Sequence, residues 1–187
     1  KELYGHRQNM DITNPDYLHH AQIIIEKLME QVKDYDCVIG FQLDNETKPY
    51  DTCSKCAQAK FVEYLKNEFP DIDEFNREFG LDYWSNRVDD WDAFPDIRGT
   101  INMSLDAEYK KFQRKLVTDF FAWQADIVKK YKRDDQFITH NFDFEWHDYS
   151  YGIQPEVNQY EAAKCMDIAG CDIYHPSQSN LSGREIT

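Results

Sequence analysis

Three groups of side chains in this sequence have types and spacing that could do chemistry, and each sits at the end of a short apolar run. Asp44-Asn45-Glu46 follows Cys37-Val38-Ile39-Gly40-Phe41-Gln42-Leu43. His140-Asn141 lies near the end of Gln136-Phe137-Ile138-Thr139-His140-Asn141-Phe142, and Asp172-Ile173-Tyr174-His175 ends the run that opens at Ile168. A carboxyl group that stays protonated near neutrality can deliver a proton to a leaving glycosidic oxygen, provided a second carboxylate lies across the bond. Glu46 is the candidate for the first role, because at a strand end among aromatic residues its charged form is poorly solvated and the protonated acid is favoured. Asn45 beside it can hydrogen-bond a sugar hydroxyl through its amide. The same three residues also fit an ordinary solvated turn. In a regular strand residues 45 and 46 point to opposite faces. Both can reach one ligand only if the chain leaves its pleat there, for instance through a bulge.

The elements that must position these groups follow from periodicity and capping. Asn14-Pro15 opens a helix, and Tyr17, Ala21, Ile24, Leu28 and Val32 recur at spacings of three and four, a stripe for packing on a sheet. Helices are expected over residues 54–68, 71–79, 104–131 and 159–166; Pro70 ends the first of these and Gly80 closes the second. The longest has Tyr109, Phe112, Leu116, Phe120, Trp123 and Ile127 on its buried face. Strands fall near 37–44, 136–142 and 168–174. Helices alternating with short β-branched runs imply parallel pairing through right-handed crossovers. The fold class read from this order is α/β with parallel strands, and a partial (β/α)8 TIM barrel is the expected architecture. All of 1–187 belongs to one catalytic barrel domain, with a helical and aromatic insertion near 50–102. In such a barrel the loops after the strands form the active face, which is where the three polar groups lie.

Composition narrows the partners. The chain has 187 residues, with 35 acidic against 21 basic side chains and a formal net charge of −14, so nucleic acid is repelled and no such partner is expected. Aromatic residues make up 15% of the chain, and rings beside carboxylates suit a neutral, hydroxyl-rich ligand. No apolar run approaches the roughly 20 residues of a membrane span, and no membrane partner is expected. Five cysteines form no disulfide framework and favour a reducing, cytoplasmic compartment; a chain that opens at Lys1 leaves export undecided. Cys37, Cys165 and Cys171 read as core.

The order and spacing of several segments resemble the family 42 β-galactosidases. These are Gly5-His6-Arg7-Gln8, Asn14-Pro15-Asp16-Tyr17, the stretch from Val38 to Glu46, Cys53-Ser54-Lys55-Cys56-Ala57, Phe75-Asn76-Arg77-Glu78-Phe79-Gly80, Tyr83-Trp84-Ser85 and Thr139-His140-Asn141-Phe142. Each is weak alone; their colinearity over nearly the whole chain is not. The resemblance implies a retaining β-galactosidase acting on terminal non-reducing β-galactose in a β-galactoside or oligosaccharide, without a cofactor in catalysis. It makes Glu46 the general acid/base and Asn45 a ligand of the sugar, with Arg7 and Trp84 as further substrate-binding candidates; their places at strand ends add Asn141 and Tyr174 as substrate-binding candidates and His140 and His175 as liners of the sugar site. Arg7 also fits a rim salt bridge and Trp84 a loop anchor. Homo-oligomers are compatible with this reading.

The resemblance also implies a nucleophilic Glu at the end of a seventh barrel strand. If the visible strands are the fourth to sixth, that residue is expected after Thr187 and the isolated chain is expected to be inactive. Glu145 follows the fifth strand and does not fit the role. Other readings are another retaining clan-A β-glycosidase, a non-catalytic carbohydrate-binding remnant, or a small metal-dependent domain built on Cys53 and Cys56. Some family members hold zinc in a Cys-x-Cys-x-x-Cys cluster, whose positions here are Asp51, Cys53 and Cys56. Two thiolates supply half of a tetrahedral structural zinc site, with Asp51 available as a third ligand; two uncoordinated thiols are the plainer alternative. Metal analysis separates them: a zinc content of about one equivalent that disappears in Cys56→Ser marks the site, and metal-free protein marks the plain thiols.

Overall fold

Local capping starts the helices where the sequence places their signals. The Asn14 side chain accepts the backbone N–H groups of Asp16 (2.9 Å) and Tyr17 (3.1 Å), beginning helix α1, Pro15–Val32. Ser54 caps α2, Lys55–Glu68, by accepting from Ala57 N–H at 3.1 Å, and Asp71 caps α3, Ile72–Glu78. Gly80 ends that helical stretch at φ 64°, a left-handed conformation that costs glycine little. Asn102 accepts from Leu105 N–H (2.8 Å) at the start of α4, Met103–Lys129, and Asn158 caps α5, Gln159–Ala163. The strands are β1 (Gly40–Gln42), β2 (Phe137–Phe142) and β3 (Ile168–Cys171), paired in parallel in the order β1-β2-β3. The computed structural model describes residues 10–50, 52–96, 102–143 and 157–172. Among these, no helix is long and apolar enough to cross a membrane.

The chain divides into two compact units, Lys1–His20 with Pro49–Leu116 and Ala21–Lys48 with Val117–Thr187. The first has an aromatic core. Phe61 is 1% exposed, and the rings of Tyr109 and Phe112 lie 5.1 and 5.2 Å from it, centroid to centroid. Phe75 is enclosed by Phe69, Phe79 and Trp91. The irregular stretch after α3 is pinned by the buried side chain of Asn76. Its amide donates to the carbonyls of Ile72 and Val88, both at 2.7 Å, and accepts from Val88 N–H at 2.8 Å. Short 3-10 turns at Tyr83–Ser85 and Trp91–Ala93 shape the rest.

The second unit holds the sheet. Gly40 faces the ring of Phe137 so closely that a Cβ there would lie 2.6 Å from it, and a Cβ on Gly170 would lie 2.8 Å from the His140 carbonyl oxygen. Both strands flanking β2 therefore approach it through a glycine. Side chains on β2 alternate in burial, with Ile138, His140 and Phe142 inside, and the rings of His140 and Phe142 lie against Phe121 of α4.

Three expectations need correction. Strand β1 is shorter than 37–44, because the Val38 carbonyl is taken by side chains of Arg133 and Gln136 and not by a strand ladder. The packing stripe of α1 is rotated: Met29 is buried, whereas Ile24 is 68% and Leu28 56% exposed. With apolar residues spread around the helix from Ile23 to Met29, periodicity does not single out one face. Cys37 and Cys171 are exposed and Cys165 is half-buried, since the first precedes and the second ends a flanking strand of the sheet.

Tyr64 gives the first unit an alkaline signature. Its hydroxyl donates to Glu108, and burial, reinforced by that carboxylate, pushes its pKa up to about 12 from 10.0. The folded state keeps the phenol protonated where the unfolded chain ionises it, so this contribution is complete below pH 10 and is lost as pH rises towards 12. Tyr64→Phe is expected to cost roughly 1–2 kcal/mol at neutral pH and to flatten the alkaline loss of stability, as measured by urea denaturation at several pH values.

Candidate functional site

The Asp44-Asn45-Glu46 group sits on a tight turn at the C-terminal end of β1. Leu43 N–H makes one last ladder bond to the Thr139 carbonyl (2.8 Å), and then the chain leaves the pleat. It does so through two left-handed residues, Asp44 at φ 49° and Glu46 at φ 44°, and not through a bulge. Left-handed backbone at such residues costs on the order of 1–2 kcal/mol each and persists where neighbours fix it. The result is that Asn45 and Glu46, which a regular strand would separate, share a side: Asn45 Nδ2 donates to Glu46 Oε2 at 3.3 Å. Both are half-buried.

Two consecutive residues of β2 hold this turn. Asn141 reaches it from one face. Its Nδ2 donates to Asn45 Oδ1 (3.1 Å) and to Asp172 Oδ2 (2.7 Å), while its Oδ1 accepts from Gln42 Nε2 (2.9 Å) and Glu46 N–H (3.4 Å). Its amide thus joins β1, the turn and the residue after β3. Because Asn141 donates to the Asn45 carbonyl oxygen, the Asn45 amide is oriented with its NH2 group towards Glu46.

His140 reaches the turn from the opposite face. The ring is 1% exposed, 4.4 Å from the Phe121 ring and 4.9 Å from that of Phe142. Nδ1 bonds the Leu43 carbonyl and Nε2 accepts from Thr47 N–H at 3.3 Å. Thr47 is itself buried, and its hydroxyl donates to Asp44 Oδ2 at 2.6 Å. Lys48 lies 3.8 Å from the buried carboxylate of Asp143. Burial holds the His140 pKa below its usual 6.5, with the Leu43 carbonyl and the charges of Asp44 and Asp172 opposing the shift.

Of the residues singled out in the sequence, the structure brings Glu46, Asn45 and Asn141 together. Arg7 and Tyr174, like His175, Asp51 and Glu145, lie outside the described residues. Trp84 belongs to the other unit, where it takes a left-handed φ of 60° on a 3-10 turn and is 81% exposed. An exposed ring of this kind does not anchor its loop. His140 does not line a sugar site, because it is sealed behind the turn. Its position two residues from both Ile138 and Phe142, on the same strand face, is the signal that marks it as inward-pointing. Asp172, at the third strand end singled out in the sequence, joins the site through Asn141, whereas Gln42 and Thr47 are partners that motif spacing did not indicate.

Cys53 and Cys56 are half-buried and not in disulfides. Among the described residues, no three His, Cys, Asp or Glu side chains are grouped so as to hold a metal ion. Cys53 and Cys56 are the described members of the expected set, and Asp51, the third candidate, lies outside the described residues.

Comparison with known proteins gives the family and the fold. The family model for glycoside hydrolase family 42, described as beta-galactosidase, matches residues 1–185. The chain is 26% identical over 186 residues to beta-galactosidase LacZ of Lactobacillus acidophilus, covering 93% of this chain and 26% of that protein. It is 28% identical over 181 residues to beta-galactosidase BgaA of Thermus sp, covering 93% and 26% respectively. Among solved structures, a GH42 beta-galactosidase of G. stearothermophilus superposes with a TM-score of 0.81 at 23% identity, over 97% of this chain and 26% of that one. The beta-galactosidase of Bacillus circulans sp. alkalophilus gives 0.79 at 23% identity, over 94% and 26%. These likenesses show the fold. The chain spans about a quarter of the length of the relatives it matches.

The buried, neutral His140 predicts an acid signature. Its depressed pKa makes its contribution to stability complete above 6.5 and progressively lost as pH falls below that value, where the unfolded chain takes up the proton first. His140→Gln is expected to remove this part of the acid slope, at most about 1.4 kcal/mol per pH unit, in thermal unfolding followed from neutral to mildly acidic pH.

Proposed function

The chain belongs to the β-galactosidases of glycoside hydrolase family 42 and forms part of their α/β barrel, and from that premise we propose that Glu46 is the general acid/base of a retaining β-galactosidase. The observation that carries this reading is the left-handed turn at the C-terminal end of β1, which sets the Glu46 carboxyl beside the Asn45 amide. The C-terminal ends of parallel barrel strands are where catalytic side chains of this fold converge.

In the proposed mechanism the Glu46 carboxyl protonates the departing glycosidic oxygen. The resulting carboxylate then takes a proton from the water that cleaves the glycosyl intermediate. Asn45 donates its amide N–H to a hydroxyl of the sugar. Its orientation is set by the bond from Asn141, so the donor and not the carbonyl faces the Glu46 side. Asn141 uses both amide hydrogens and both acceptor directions on protein partners, which makes it a holder of the site. The nucleophilic carboxylate that a retaining mechanism requires, about 5–5.5 Å from the acid, is assigned to no residue of this chain. The substrate class is a terminal β-galactoside.

Glu46→Gln keeps the shape of the side chain and removes its proton. In the full-length protein it is expected to lower kcat/KM roughly 10²–10⁴-fold on galactosides with poor leaving groups, and far less on activated aryl galactosides, whose departure needs little protonation. Equal losses on both substrates, measured by steady-state kinetics, would exclude the acid/base role.

A further inference from the structure

We infer that His140 is a positioning residue for Glu46, acting as a neutral brace whose two ring nitrogens fix the first and last backbone groups of the catalytic turn. This rests on the acid/base reading of Glu46. The geometry is specific. The Leu43 carbonyl and the Thr47 N–H, four residues apart, bracket Asp44, Asn45 and Glu46, and both bond to one imidazole. A carbonyl requires a donor and an N–H requires an acceptor, so only the Nδ1–H tautomer satisfies both; imidazolium and the Nε2–H tautomer each set two donors against one another. Phe121 and Phe142 close around the ring and exclude water as a substitute partner. Thr47 is fully buried, so its N–H has no solvent alternative if the ring acceptor is lost. The turn also carries two left-handed residues, and the brace, together with Asn141 on the other face, contributes to keeping it in that form. Glu46 is bonded directly to Thr47 along the chain, so the Nε2 contact sets its backbone more closely than the Nδ1 contact does.

Kinetics on the full-length protein test this, with Glu46→Gln measured in parallel. Gln at 140 can place an oxygen where Nε2 accepts, Asn can place an N–H where Nδ1 donates, and Phe keeps the packing while losing both bonds. His140→Phe is expected to lose roughly 10- to 100-fold in kcat on poor-leaving-group galactosides and distinctly less on activated aryl galactosides, with KM little changed. His140→Gln should recover more of the loss than His140→Asn. A purely structural role would depress both substrate classes alike and rank the variants by thermal stability alone; that outcome, with Glu46→Gln showing its leaving-group signature, overturns the inference and leaves the acid/base reading standing. Absence of the signature in Glu46→Gln overturns both. Nitrogen-15 shifts of the histidine ring in the unaltered protein give a check independent of variant folding. A protonated Nδ1 with a bare Nε2 at neutral pH is expected, and the opposite tautomer or an imidazolium overturns the brace.

Discussion

A β-strand turns successive side chains to opposite faces, and at the end of β2 both faces hold the same neighbouring turn. His140 binds it from the buried side and Asn141 from the other, so the conformation of residues 43–47 is fixed by a strand almost a hundred positions away in sequence. The rest of the site depends on this grip. The bonds from His140 and Asn141 help to hold Asp44 and Glu46 left-handed and so keep the Asn45 and Glu46 side chains, which a regular strand would separate, on one side. The glycines at 40 and 170 serve the same end, because each lets a flanking strand approach β2 closely enough for the polar bonds to form.

Neutral hydrogen-bond donors take part in holding the acids of this arrangement. Asp44 accepts the Thr47 hydroxyl and Asp172 accepts the Asn141 amide. Neutral donors hold the carboxylates in place, and the bond pattern, unlike a salt bridge, dictates direction: each amide is turned one way only. This is how a chain of net charge −14 can bring several acids to one strand end and still orient them.

Features written in local sequence were legible. Asn14, Ser54 and Asp71 cap the helices their positions announce, Gly80 ends the third helix in the left-handed form, and the three apolar runs pair in parallel in chain order. The juxtaposition of Asn45 with Glu46 was legible only as a requirement that the chain leave its pleat; which dihedrals accomplish it depends on contacts distant in sequence. The same holds for β1, shortened because Arg133 and Gln136 claim the Val38 carbonyl, whereas the inward direction of His140 was open to reading from its parity with Ile138 and Phe142. The face of α1 could not be read because Ile23, Ile24, Ile25, Leu28 and Met29 surround the helix. Polar bonds between residues far apart, and a helix apolar on more than one side, leave no periodic trace.

The separation of 97 residues between Leu43 and His140 also has a temporal meaning. During synthesis the turn leaves the ribosome first, and for the whole of the intervening helical stretch it has neither its buried imidazole nor its amide partner. Closing so long a loop is entropically slow, and it must precede any stabilisation from the contacts it creates. The helices and their aromatic clusters can form from near neighbours in the meantime. The site geometry is therefore a late event in folding, acquired when β2 docks on β1, and a nascent chain that stops short of residue 140 holds Glu46 without the two side chains that orient it.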